Sequence, residues 1–236
     1  MSPDNYSAPK SIAETKQSSG LFSLFDDLAL EYDAWFDGDG RLIFSIEVQA
    51  FQMLLPSLPK PWLEVGVGSG RFAQTLGIET GVDLSFKLLQ IAHQRGLNVF
   101  RSRGEQLLFS EESFGTVFLI VTLCFLDSPL DVLKEASRVL IPGGKIVLGL
   151  VLEESPWGRF YQRKKAEGHR FYRHARFYSF DEVVSLLVQA GFVTEKVIST
   201  LFQKPGKVYH VEKPREGYSP DAGFTIITAG KSTQAI

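Results

Sequence analysis

The residues whose types and spacing best suit chemistry are three glycines and two carboxylates. Gly66, Gly68 and Gly70 follow Leu63-Glu64-Val65 as Gly-x-Gly-x-Gly, with Val67 and Ser69 between them. Glycines so placed permit unusual backbone angles and let the main chain approach a ligand closely. A dinucleotide, a mononucleotide or a plain turn could use such a run. Two details narrow the choice. The spacing differs from the Gly-x-Gly-x-x-Gly of pyrophosphate-binding loops, and the acidic Glu64 just before it would repel a pyrophosphate while tolerating a cationic ligand. Asp83, in Gly81-Val82-Asp83-Leu84-Ser85, ends a predicted strand, where a carboxylate can accept hydrogen bonds from both hydroxyls of a ribose.

A second constellation lies between Ser155 and Tyr178. Arg159, Arg163, Lys164, Lys165, Arg170, Arg173 and Arg176 face a single acid, Glu167, and alternate with Trp157, Phe160, Tyr161, Phe171, Tyr172, Phe177 and Tyr178. Basic and aromatic residues interleaved in this way suit a lid over a ligand, a solvated loop anchored by its aromatics, or a single-stranded nucleic acid site. The nucleic-acid reading is disfavoured, because the run is short and the chain as a whole is slightly acidic.

The elements that position these residues alternate between strand and helix. Apolar positions Leu42, Ile46, Phe51, Leu54 and Leu55 recur at helical spacing before Pro56, Pro59 and Pro61, which predicts an N-terminal helical flap over residues 21–60. Strands are predicted at Trp62–Val65, Ile78–Asp83, Val99–Phe100, Thr116–Thr122, Lys145–Leu152, Val197–Phe202 and Phe224–Ala229. Helices are predicted from Phe72 to Leu76, from the cap Ser85 to His93, from Leu130 to Leu140 and from Ser179 to Gln189, with Pro142-Gly143-Gly144 stopping the third. The pattern is an α/β, doubly wound sheet of seven strands, mainly parallel, with the last strand antiparallel. The segment 153–178 then overhangs the carboxyl ends of the strands, where ligands bind.

Composition bounds the rest. A chain of 236 residues with 44% apolar content fits one α/β domain, placed at 21–236 behind a polar, disordered tail at 1–20. The formal net charge of −2 draws the chain neither to polyanions nor to anionic membranes. The longest apolar run, Val117 to Leu126, is broken by Thr122 and falls short of the roughly 20 residues of a membrane helix. One cysteine, Cys124, and four histidines exclude an internal disulfide and supply no metal-ligand cluster. No secretory signal is visible, and a cytoplasmic location is expected.

The glycine run, Gly81-Val82-Asp83-Leu84-Ser85, Glu105-Gln106-Leu107-Leu108-Phe109, Glu112-Ser113-Phe114 and Arg138-Val139-Leu140-Ile141-Pro142-Gly143-Gly144 together resemble the class I S-adenosylmethionine-dependent methyltransferases. The likeness is nearest to the branch similar to ubiquinone and menaquinone biosynthesis methyltransferases, and it covers about Leu63 to Phe192. Cys124-Phe125-Leu126-Asp127 and Ala175-Arg176-Phe177 further look like a group of small prokaryotic members. The resemblance implies a Rossmann-like fold, S-adenosylmethionine as methyl donor with S-adenosylhomocysteine as product, and no metal. It also implies donor contacts at Glu64, Gly66, Val67, Gly68, Ser69 and Gly70, a ribose held by Asp83, adenine packed on Leu84 and met by the backbone of Gly104 and Glu105, and Val121, Thr122 and Leu123 beside the methionine part. Two positions depart from the family pattern: Arg103 stands where many relatives carry an acid, which leaves adenine to main-chain contacts, and Gly115 replaces an Asp, which concerns a turn more than a site.

Methyl transfer needs alignment more than a dedicated catalytic group. For an acceptor that must lose a proton, the candidate bases are His174, Tyr161 and Tyr172. Acceptor-side contacts are expected at Tyr32, Arg159, Tyr161, Tyr172 and Arg176, with Tyr32, Trp35 and Phe36 closing over the donor or plugging the core. A small-molecule acceptor is expected. The alternatives are a non-catalytic module that binds the donor and a nicotinamide-dependent oxidoreductase.

Overall fold

The computed structural model describes residues 24–232; the polar tail expected at 1–20 lies outside them. Eight strands form one sheet in the order β3-β2-β1-β4-β5-β8-β6-β7. They are β1 Trp62–Val65, β2 Thr80–Asp83, β3 Asn98–Arg101, β4 Phe114–Ile120, β5 Leu140–Leu150, β6 Phe192–Thr200, β7 Arg215–Glu216 and β8 Phe224–Lys231. The first five pair in parallel. β8 runs antiparallel between β5 and β6, and β7 adds to the far edge. The expected count of seven omits β7, whose two exposed charged residues carry no strand signal.

Helices cover both faces. They are α1 Ala29–Trp35, α2 Arg41–Gln52, α3 Arg71–Leu76, α4 Phe86–Gln94, α5 Pro129–Val139, α6 Pro156–Ala166 and α7 Phe180–Gln189. β4 is buried along its whole length, and its side chains alternate between two cores. Phe118 and Ile120 join the layer of α2, α3 and α4, while Val117 and Leu119 join that of α5 and α7. Burial of each such side chain contributes roughly 1.5–3 kcal/mol, which fixes register: a one-residue slip would exchange the two sets.

Three local expectations are corrected. The third predicted helix ends at Val139, and β5 begins at Leu140 and runs through Pro142-Gly143-Gly144. Leu140 is already extended, with ψ 135°, so the proline lies in a strand and stops no helix. Second, segment 153–178 contains the unpredicted helix α6. Ser155 Oγ accepts a hydrogen bond from Gly158 N at 2.8 Å, Pro156 occupies the first turn, and Trp157 is buried with Nε1 donating to Gln203 O at 2.8 Å. The dense basic residues hid the helical period, because only Trp157 and Gly158 of this helix are buried. Third, the helical flap is not continuous: α1 and α2 are separated near Gly38 and Gly40.

Gly115 is explained by close approach. A Cβ there would lie 2.4 Å from the carbonyl oxygen of Pro59, and Gly115 N donates to Pro61 O at 2.8 Å. No helix among the described residues is long and apolar enough to cross a membrane.

Candidate active site

The strand order reverses between β1 and β4, so the chain leaves their carboxyl ends in opposite directions and a crevice opens there. The glycine loop fills its floor. Gly66 N and Val67 N both donate to Val82 O, at 2.8 and 3.0 Å, which ties the end of β1 to β2. Gly66 has φ +76°, and a Cβ on it would stand 2.4 Å from Thr122; any side chain would collide with the turn that follows β4. Gly70 caps α3.

Asp83 lies directly against this loop. Its Oδ2 accepts from Gly68 N at 2.9 Å and its Oδ1 from Ser85 N at 2.8 Å. Burial raises the Asp83 pKa, and the hydrogen bonds from Ser85, Gly68 and Leu84 oppose that rise. Each oxygen keeps lone-pair capacity for a ligand hydroxyl. Beneath it, the Glu64 carboxyl is 2% exposed, and its Oε2 has no hydrogen-bond partner. Burial first, then the Asp83 charge, holds its pKa well above the ordinary carboxylate value.

Val121, just past β4, has φ +53°. Positive φ in a β-branched residue is strained backbone, of the kind that collects at functional sites. Its N–H donates to Gly149 O at 2.9 Å, so the strain is held by β5.

The N-terminal helices close the crevice from above through an ionic clamp. Asp33 on α1 accepts from Arg71 Nε and Nη2 at 2.9 and 2.8 Å and from Arg95 Nη2 at 2.8 Å, while Arg95 Nη1 donates to Ser69 O in the glycine loop. Burial would raise the Asp33 pKa, but the hydrogen bonds from Arg71 and Arg95 hold the carboxyl well below the usual range. Tyr32, the preceding residue, lies over Gly68: a Cβ built on that glycine would be 3.8 Å from the Tyr32 hydroxyl. Burial, then the charges of Asp83 and Glu64, raise its pKa and keep the phenol protonated.

A cavity of about 400 Å³ runs under these elements. Gly66, Gly68, Asp83, Leu84, Gly104, Val121 and Thr122 line it, as do the acceptor-side candidates Tyr32, Tyr161, Tyr172 and Arg176. Other expected contacts do not reach it. Val67 packs against Gly81, Ser69 and Gly70 turn into α3, Leu123 is wholly buried in the α5–α7 core, and Glu105 pairs with Arg103 at 3.4 Å. Glu64 lies buried at the end of β1, behind the cavity wall.

Two further expectations are corrected. Arg159 is exposed on α6, off the cavity. His174 is also exposed, its Nε2 accepting from Arg173 Nε at 2.8 Å. Tyr161 and Tyr172 are poor bases. Burial pushes Tyr161 well above the ordinary phenol and Tyr172 up to about 12, so both remain hydrogen-bond donors at neutral pH.

Among the wall residues that sequence reasoning missed are His169 and Glu47. His169 lines the cavity and stacks on Tyr172 at 4.6 Å. Glu47 on α2 is buried and lines the cavity, and burial pushes its carboxyl up to about 8. A signal was available: Glu47 interrupts the otherwise apolar stripe Ile43, Ile46, Ala50, Phe51. Among the described residues, no group of three or more His, Cys, Asp and Glu could hold a metal ion.

A carboxylate bonded to a glycine turn at the switch point of a doubly wound sheet is the arrangement with which nucleotide-binding α/β folds seat a ribose. Residues 63–148 match the family described as "Methyltransferase domain". An uncharacterized protein of Methanocaldococcus jannaschii is 39% identical over 209 residues, covering 89% of this chain and 99% of that protein. The crystal structure of a Thermotoga maritima S-adenosylmethionine-dependent methyltransferase, named a possible histamine N-methyltransferase, superposes with a TM-score of 0.84 at 38% identity, covering 90% of this chain and 100% of that one. A demethylmenaquinone methyltransferase of Tropheryma whipplei is 31% identical over 107 residues, covering 42% of this chain and 45% of that enzyme. The chain belongs to the class I S-adenosylmethionine-dependent methyltransferases, and its activity is methyl transfer from that donor. The nicotinamide and non-catalytic alternatives find no support in these relatives.

Proposed function

We propose that the glycine turn and Asp83 seat S-adenosylmethionine and that the methyl is delivered to a small molecule held on the aromatic wall of the same cavity. The carrying observation is that one cavity is lined both by Gly66, Gly68 and Asp83 and by Tyr161, Tyr172 and Phe171. The residues suit this donor. Asp83 has free acceptor capacity for a ribose diol, and the glycine turn leaves no side chain in the way.

When bound, the donor supplies a methyl already activated by its sulfonium. The chain's own residues supply alignment. Asp83 fixes the sugar, Leu84 and the Gly104 backbone meet the base, and Val121 and Thr122 border the methionine part. Tyr32 covers the loop and excludes water. Alignment of this kind lowers a barrier by roughly 7–11 kcal/mol, which accounts for a transferase without a triad. A cavity of about 400 Å³ is the size of a small-molecule site. The exposed positions of Arg159 and Arg173 favour a small acceptor over nucleic acid, since neither lines the cavity.

Titration calorimetry with S-adenosylmethionine, S-adenosylhomocysteine and NADH, followed by a methyl-release screen over small acceptors and RNA, tests the reading. Binding of the two sulfur ligands alone and turnover of a small acceptor are expected; tight NADH binding or methylation of RNA overturns it.

A further inference from the structure

Among the described residues, the cavity wall carries a buried carboxyl that donor binding does not use and that no cation pairs with. Glu47 is 6% exposed, lines the cavity and has no hydrogen bond or ion pair among the described residues. A buried carboxyl costs stability unless something pairs with it, and the cavity is where such a partner can come from. The wall around it is aromatic. Tyr161 and Tyr172, with ring centroids 4.3 Å apart, line the same cavity as Glu47, and Phe177 stacks on Tyr161 at 6.3 Å. Ring faces attract cations. The two guanidinium groups on the wall are already engaged, Arg170 by Glu31 and Arg176 by Glu182. Burial, then Lys164 and Arg170, lower the pKa of His169 and keep it neutral. Glu47 is therefore an acidic group of this chamber left without a partner, and a cation brought beside it would favour its ionised form.

We propose that Glu47 anchors the methyl acceptor, and that the acceptor is a small primary or secondary amine with an apolar or aromatic body. Its ammonium pairs with the Glu47 carboxylate and its body lies against Tyr161 and Tyr172. This rests on the methyl-transfer reading above. An ammonium has no lone pair, so it must lose a proton before it can attack. One N–H bond breaks and the proton passes to the Glu47 carboxylate; the freed lone pair forms the N–CH3 bond as the C–S bond of the donor breaks and its electron pair stays on sulfur. Carboxylate, ammonium and sulfonium carry one net positive charge, and so do the carboxyl, methylated ammonium and thioether that result. A carboxyl pushed up to about 8 by burial is far better matched to an amine than an exposed glutamate.

The test uses the full chain saturated with S-adenosylhomocysteine and a matched probe set: 2-phenylethylamine and histamine as amines, 2-phenylethanol as the uncharged counterpart, and 3-phenylpropionate as the anion. Competition and calorimetry on the wild type are expected to give at least tenfold tighter binding of an amine than of the alcohol, and no binding of the anion. Glu47→Gln is expected to lose that tenfold preference while binding S-adenosylhomocysteine within twofold of wild type. The proposal is overturned if neither amine binds, if the alcohol or anion binds as well as the amine, or if Glu47→Gln keeps the preference. The wild-type probe series decides the matter even if the variant folds poorly. Failure of S-adenosylhomocysteine to bind the wild type would instead sink the underlying donor-site reading.

Discussion

Asp83 does two jobs with one carboxylate. It accepts from Gly68 N and Ser85 N, so it shapes the glycine turn, and in the proposed donor site its remaining lone pairs take the sugar diol. Hydrogen bonds to a charged group are worth roughly 1.5–3 kcal/mol each, and a pair of them corresponds to at least a hundredfold in affinity. Asp83→Ala is expected to weaken S-adenosylhomocysteine binding by that factor or more in calorimetry. Glu47 makes a different prediction because its burial has no counterweight. Its folded carboxyl titrates at about 8 against an ordinary value of 4.5, so the unfolded chain ionises first as pH rises. The stability of the ligand-free protein is then unaffected by this group below pH ~4.5, falls between ~4.5 and ~8, and levels off above. Glu47→Gln removes the penalty. Relative to wild type it is expected to gain a few kcal/mol between pH 5 and pH 9, read as a rising difference in urea midpoint; a pH-independent difference would count against a buried, unpaired carboxyl. Asp83 was legible in the sequence because a strand-ending acid after a glycine turn has few other uses, whereas Glu47 was not, since a glutamate on a helix is usually solvated.

At the scale of elements, the active-site roof depends on α1 and α2 being tied to the loop below. Asp33 links α1 to α3 through Arg71 and to the glycine loop through Arg95. The pairs are partly buried, with side-chain exposures of 16–19%, so they are worth more than surface bridges, about 1–3 kcal/mol after allowance for solvent. Asp33→Asn is expected to speed hydrogen exchange across residues 29–52 and to weaken S-adenosylhomocysteine about tenfold, leaving exchange in β4 and β5 unchanged. Unchanged protection of α1 would remove the clamp from the account. The β1 to β4 units were readable from their apolar runs and turn residues. Helix α6 was not, because its buried side chain, Trp157, docks through Gln203, a residue 46 positions away.

At the scale of the whole molecule, the two cores on either side of the sheet set a scaffold that a ligand in the crevice can stabilise only by binding the folded state. At a hundredfold excess over its dissociation constant, S-adenosylhomocysteine adds about 2.7 kcal/mol, which for a chain of this size corresponds to roughly 5–10 °C in Tm. Thermal denaturation is expected to shift by that amount with S-adenosylhomocysteine and not with NADH. The sequence by itself determined the alternation of strand and helix, the glycine turn and the acid that follows it, because these depend on local periodicity and on conformations that only certain residue types adopt. The tertiary structure alone decided that Glu47 and Tyr172 share one chamber, that His174 and Arg159 lie outside it, and that Leu140 starts a strand. Those facts depend on which distant surfaces meet when the sheet closes, and burial, which sets the ionisation of Glu47 and the two tyrosines, exists only once they have met.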